Sequence, residues 1–219
     1  MTLNSIPFAF VLLALRFSAV ICIMYLATSK GGLAVEALRN EGQLYTYADY
    51  CTWDDGMKWE LIDGKAYSMA PAPAWEHQRY SGRLFKQLAV HLEGKSCEVF
   101  AAPFDVRLNA DTDDNTVVQP DLVVICDSSI LSGTGCAGSP DMVVEILSPS
   151  TAAYDKSVKL NLYMRAGVRE YWIVDSDAKL VHTHVLENGR YFVTCYVGSD
   201  AVPAHVLEGC MIDLSEVFR

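Results

Sequence analysis

The sequence predicts an α/β protein in which a mixed central β-sheet is flanked by helices. Three observations predict it. Residues 117–127 (VVQPDLVVICD) and 141–147 (DMVVEIL) are short, β-branched apolar runs bounded by turn residues, the composition of buried strands. Residues 76–92 repeat Tyr80, Leu84, Leu88 and Leu92 at helical spacing. Three further strand-like runs, EYWIVD, KLVHTHVL and RYFVTCYV, follow residue 169. The order hairpin, helix, strands, helix, strands is that of an α/β sandwich.

The chain begins differently. Residues 7–27 are apolar apart from Arg16 and Ser18, about the length of a membrane-spanning helix. A signal peptide would need a basic start, which MTLNSIPF does not offer. A membrane anchor would place Arg16 near the bilayer centre, at about 3 kcal/mol. The third reading divides the chain into a hydrophobic extension, 1–31, with a mis-assigned start, and a domain, 32–219. We favour the third, in the cytoplasm, with membrane anchorage through 7–27 as the alternative. The seven cysteines form no CxxC pair and have no zinc-like spacing, so they read as thiols in a reducing compartment. With 219 residues, 51% of them hydrophobic, the chain suits one domain with a sizeable core.

Thr46 is the expected N-cap of a short lead helix. Residues 59–70 read as a hairpin turning on Asp63-Gly64. Glu60, on its first strand, is expected in a cross-strand ion pair on an exposed face, or alternatively as a third acid near a functional site. The helix over 76–92 carries His77 at its start and Arg79, Arg83 and Lys86 on a second face, a stripe suited to phosphate contact or simply solvated. Residues 97–108 suggest a strand that Pro103 breaks or confines to an edge. Residues 128–140, rich in Gly and Ser, read as a mobile loop able to fold over a substrate. A helix runs from near Asp155 to Gly167, residues 187–189 turn between the last two strands, and a short helix closes the chain over 214–218.

Two acids stand out. Asp121 and Glu145 lie in apolar strands, where a carboxylate costs several kcal/mol unless it is paired or metal-bound, on the order of 3 kcal/mol for a polar group alone. Lys159, on the following helix, can point at the same spot. Two carboxylates and a lysine suit metal-assisted phosphodiester hydrolysis, and hard oxygen ligands favour Mg2+ or Mn2+ over zinc. The bland alternative makes Asp121 a turn residue, Glu145 a structural ion-pair partner and Lys159 a solvated side chain.

Pro120-Asp121, then Val144-Glu145-Ile146-Leu147-Ser148-Pro149-Ser150, Asp155, Lys159, Tyr163 and residues 167–175 (GVREYWIVD) resemble the Uma-type restriction endonuclease family of the PD-(D/E)XK nuclease superfamily. The similarity spans about residue 45 to the C-terminus. It implies a restriction-endonuclease-like core with an added hairpin and C-terminal strands. It also implies catalytic Asp121, Glu145 and Lys159, and metal ligation by Asp121, Glu145 and the Ile146 carbonyl, with Mg2+ or Mn2+ as cofactor and DNA as substrate. Leu147 stands where the superfamily motif has its lysine, and Lys159 takes that place from the next helix. Glu60 and His77 are additional site candidates, the histidine as a phosphate ligand or proton carrier; Arg79 and Arg83 are weaker phosphate contacts.

The net charge of −10 argues against a general nucleic-acid binder, since non-specific affinity draws on lysine and arginine. Two classes therefore compete: a metal-dependent endonuclease, and an inactive interaction module that keeps the nuclease fold. A homodimer is expected for an enzyme that cuts both strands.

Overall fold

A computed structural model describes residues 42–69, 74–148 and 154–219. The expectations for residues 1–31 lie outside these residues, and no described helix is long and apolar enough to cross a membrane. The chain leads in through α1 (Tyr47–Tyr50), where Thr46 and Asp49 satisfy each other's backbone N–H groups in a capping box. β1 (Trp59–Ile62) and β2 (Lys65–Ser68) form the hairpin. Asp63 and Gly64 both take positive φ, 51° and 78°, which the two-residue turn requires and which Asp-Gly tolerates. α2 (Trp75–Leu92) buries Leu84, Leu88 and Leu92.

β3 (Glu98–Ala101) and β4 (Asp105–Arg107) follow, and the apolar run around Pro103 is two strands in different sheets, joined across a cis Ala102–Pro103 peptide. Next come β5 (Val117–Val118), β6 (Leu122–Ile125), β7 (Leu131–Ser132), β8 (Gly135–Ala137) and β9 (Met142–Ile146). A π-helical turn (Asp155–Lys159) leads into α3 (Leu160–Ala166), which ends at Gly167 in the left-handed conformation. The chain closes with β10 (Glu170–Asp175), β11 (Leu180–Glu187), β12 (Arg190–Val197), β13 (Ala201–Pro203), β14 (Met211–Asp213) and α4 (Leu214–Val217).

The central sheet has the order β12-β11-β10-β9-β6-β3 and is parallel only between β9 and β10. A second mixed sheet, β2-β1-β5-β4-β8-β7, packs on one face of it. Its last two strands come from residues 128–140, so the expected mobile loop is instead a paired hairpin. The glycine that suggested a loop serves strand approach: a Cβ on Gly135 would lie 1.8 Å from the Asp105 carbonyl oxygen.

Side-chain alternation sorts the core into layers. Even-numbered Leu122, Val124, Met142, Val144 and Ile146 meet α2 and the C-terminal elements. Odd-numbered Val123, Ile125 and Val143 join Tyr171 and Ile173 and meet Leu162 and Tyr163 of α3 and Val106 and Val118 of the second sheet. Glu145 is odd-numbered, so it falls in this second layer. The far face of the second sheet is covered in turn, with Tyr45, Trp59 and Leu61 packed beneath Tyr47, Tyr50 and Trp53.

One cysteine pair departs from the expectation of reduced thiols. Cys97 and Cys126 are disulfide-bonded across β3 and β6, one step beyond the Glu98–Ile125 pair. Cys51, Cys136 and Cys210 remain thiols.

His184 gives the central sheet an acid-sensitive point. Burial, helped by neighbouring His182, pushes its pKa down to about 4 against a hydrogen bond to the Tyr171 carbonyl. In the unfolded chain a histidine titrates near about 6.5. The unfolded state therefore takes the proton first, and stability falls as pH drops from the unfolded value through the folded one. Between pH 7 and pH 5 this residue accounts for a loss of about 2 kcal/mol. His184→Gln should remove that much of the acid sensitivity in urea unfolding at the two pH values; an unchanged pH dependence would refute the assignment.

Candidate active site

β6 and β9 are antiparallel neighbours in the middle of the central sheet, and the register pairing Leu122 with Val144 puts Asp121 across from Glu145. Opposed residues in such a pair project from the same face. At Asp121 the ladder gives way to a side chain: its Oδ2 accepts the Ile146 N–H at 2.7 Å.

The helix after β9 crosses this face and delivers Lys159. Asp155 and Lys159, four residues apart on one side of the π turn, are both buried. Lys159 Nζ lies 2.8 Å from Glu145 Oε1, 2.9 Å from Glu60 Oε1 and 3.8 Å from Asp155 Oδ1. One turn on, the Tyr163 hydroxyl donates to the same Glu145 oxygen at 2.9 Å. Glu60 Oε1 also accepts the Gln119 N–H at 3.0 Å, just past β5 of the same sheet, so the carboxylate links the second sheet to Lys159. Glu60, Glu145 and Lys159 are each only 5% exposed.

Burial and charge set the protonation states. Burial pushes the Glu145 carboxyl well above its ordinary value; Lys159 opposes this, while Asp155, Asp121 and Glu60 add to it. Burial alone would lower Lys159, but Glu145 and Glu60 outweigh it and hold the ammonium protonated. Three carboxylates around one ammonium leave an excess of buried negative charge, with Asp121 adding to it nearby.

His77 enters from the first turn of α2. Its Nε2 lies 3.2 Å from Asp121 Oδ2 and 3.0 Å from the Ile146 carbonyl oxygen, while its Nδ1 is buried without a hydrogen-bond partner. Burial works against protonation of this ring, but the hydrogen bond and charge of Asp121 raise its pKa above the usual imidazole value.

The structure thus gathers Asp121, Glu145, Ile146, Lys159, Glu60 and His77 at one place. Glu60 is buried in the site and not on the exposed face favoured for it, because its strand belongs to the second sheet and carries Glu60 on the face that packs toward the central sheet and the Lys159 helix. The Arg83 guanidinium donates to the Val217 carbonyl at 2.9 Å and to the Arg219 carbonyl, which engages it with the last residues of the chain. Arg79 lies over the ring of Trp75. Asp155 and Tyr163 are the residues that sequence reasoning left without a role. Their spacing of four from Lys159 on either side, one face of a helix, is the signal that could have found them. Pro149 and Ser150 lie outside the described residues. A cavity of about 590 Å³ lined by Leu108, Asn109, Thr112, Ser139 and Arg165 contains none of these groups.

Among the described residues, no three His, Cys, Asp or Glu side chains cluster as a complete metal site. The donor set still fits a hard divalent cation: two carboxylates on one face, a main-chain carbonyl beside them, and an uncompensated negative charge. An imidazole nitrogen already bridges the Asp121 carboxylate and that carbonyl.

This layered sheet, with acids at the point where two central strands part, defines a restriction-endonuclease-like protein. The same fold occurs in the crystal structure of a "putative nuclease belonging to DUF820" from Anabaena variabilis, with a TM-score of 0.65, 16% identity, and coverage of 80% of this chain and 97% of that one. A family model described as "Putative restriction endonuclease", Uma2, matches residues 45–215, and the chain belongs to that family. An uncharacterized protein of Synechocystis sp. is 31% identical over 156 residues, 69% of this chain and 80% of its own length. A second from the same organism is 25% identical over 183 residues, 82% of this chain and 95% of its own.

Proposed function

We propose that the protein is a Mg2+- or Mn2+-dependent endonuclease that hydrolyses DNA phosphodiester bonds. The observation that supports this best is the burial of Lys159 among Glu145, Glu60 and Asp155 on the face where Asp121 stands across from Glu145. Asp121, Glu145 and the Ile146 carbonyl would hold the metal, with His77 Nε2 within reach of the same position. A bound ion would polarise the scissile phosphate and acidify a coordinated water.

The chain's own groups do the rest. Lys159, fixed by its carboxylates, orients a water by hydrogen bonding and offsets charge on the phosphate as it develops. Tyr163 fixes the Glu145 carboxylate from the side away from solvent. His77 holds Asp121 in orientation and carries a proton that it can donate toward a phosphate oxygen. Glu60 keeps Lys159 in place from the second sheet. Leu147 is buried in the core and contributes no charge, and among the described residues of this stretch Lys159 is the ammonium at the acids, while Lys156 pairs with Asp175.

Titration calorimetry of Mn2+ into the full-length chain is the test. Mn2+ is preferred because magnesium dehydrates reluctantly and binds weakly before a substrate phosphate joins it. Binding is expected in the parent and should weaken more than about tenfold in Asp121→Ala and in Glu145→Ala. Undiminished binding in either variant removes that residue from the site. No binding and no cleavage by the parent would favour the inactive interaction module.

A further inference from the structure

Among the described residues β12 is an edge of the central sheet, and at eight residues, Arg190–Val197, it is a long one. It has none of the side chains that usually blunt a free edge. Residues 191–199 hold no charged residue and no proline, in a chain of net charge −10. Phe192, Val193 and Val197 are exposed there at 57%, 45% and 49%. The opposite edge differs: β3 is four residues long, starts on exposed Glu98 and is followed by Pro103.

The turn into β12 decides which of its backbone groups face outward. Asn188 and Gly189 both take positive φ, 50° and 75°, the two-residue turn that makes Glu187 and Arg190 a hydrogen-bonded pair. Bonding to β11 then falls on the even-numbered residues, so the N–H and C=O groups of Tyr191, Val193 and Val197 point away from it. Val197 follows this alternation: its N–H donates to Asp200 Oδ2 at 2.8 Å, and its carbonyl accepts the Asp200 N–H at 2.9 Å. That turn closes the end of the strand and leaves Val193 in the middle of its open part.

We propose that β12 pairs antiparallel with β12 of a second copy of this chain, about a twofold axis at Val193, joining the two central sheets into one. The outward N–H and carbonyl of Val193 in each copy meet those of the other, a self-pairing that a twofold axis provides. On one face Phe192 of each copy stands across from Thr194 of the other, an aromatic against a β-branched residue, and on the other face the two Val193 side chains meet. Charge favours a second copy over a peptide of another protein. An acidic chain draws basic segments toward its acids, and this edge offers none between Arg190 and Asp200. Two acidic copies repel each other least where they meet along an uncharged strand. The inference stands independently of the nuclease reading.

Sedimentation velocity of the full-length chain over a range of micromolar concentrations is the test, read beside hydrogen exchange of the Val193 amide. The parent is expected to form a dimer in which that amide exchanges slowly, and faster on dilution. Val193→Lys sets two ammonium groups against each other at the axis and should weaken the dimer at least about tenfold. Val193→Pro removes an N–H that β11 does not use, and should weaken it likewise. Both variants should melt close to the parent, because position 193 is half exposed. A parent that stays monomeric at every concentration overturns the proposal. So does a dimer that persists in a folded Val193→Lys, or one whose Val193 amide exchanges as fast as in the monomer, since either puts the contact elsewhere. If both variants unfold, the exchange of the parent's amide decides alone.

Discussion

Asp121→Asn and Glu145→Gln are each expected to lower Mn2+-dependent cleavage of plasmid DNA by at least about a hundredfold while leaving the protein folded. Both substitutions remove a charge and keep a shape. An asparagine oxygen at 121 can still accept the Ile146 N–H, so the link between β6 and β9 persists. A glutamine oxygen at 145 can still accept from Tyr163 and Lys159. Burial already raises the Glu145 carboxyl well above its usual range, so a neutral group at that position costs the fold little. The measurement pairs a gel assay of supercoiled DNA with a thermal melt of each variant. Cleavage within tenfold of the parent in a folded variant would take that residue out of the mechanism; lost cleavage with lost folding would count against the claim that the charge is dispensable to structure.

How much of this was legible in the sequence depends on the kind of physics involved. Asp121 and Glu145 were legible because an acid in a β-branched run breaks a local rule. Thr46, Asp63-Gly64 and the leucine stripe of α2 were legible because caps, turns and periodicity are local. The second sheet was not, and two of the missed assignments follow from it. Glu60 looked solvated because hairpins commonly leave one face in water, yet β1 is covered on both sides. Residues 128–140 looked like a loop because Gly135 marks close backbone approach as readily as flexibility. Nothing local in the basic stripe of α2 reveals that the C-terminus returns to engage Arg83. Cys97 and Cys126 are 29 residues apart, and only the register of β3 on β6 brings them face to face. The π turn at Asp155, which sets Lys159 against three acids, carries no sequence signature of its own.

Lys159→Met is expected to destabilise the fold by about 3–5 kcal/mol at neutral pH, in addition to abolishing cleavage. Methionine conserves much of the volume, so the loss is of charge and not of packing. The ammonium lies within ion-pair distance of Glu60, Glu145 and Asp155, and without it these carboxylates remain crowded in a site with almost no access to water. The defect should therefore shrink as the medium is acidified. A carboxyl whose folded pKa is raised takes up a proton in the native state before it does so in the unfolded chain, which stabilises the native state relative to its value at neutral pH. Adding Glu60→Gln or Glu145→Gln to Lys159→Met should restore part of the lost stability and none of the cleavage, a non-additive result that an indirect packing effect would not produce. Urea unfolding of the single and double variants at two pH values reads both effects. A Lys159→Met protein as stable as the parent at neutral pH would mean that the carboxylates are already neutral or hydrated. In that case the excess negative charge, and with it the physical reason for expecting a divalent cation at this face, would be absent.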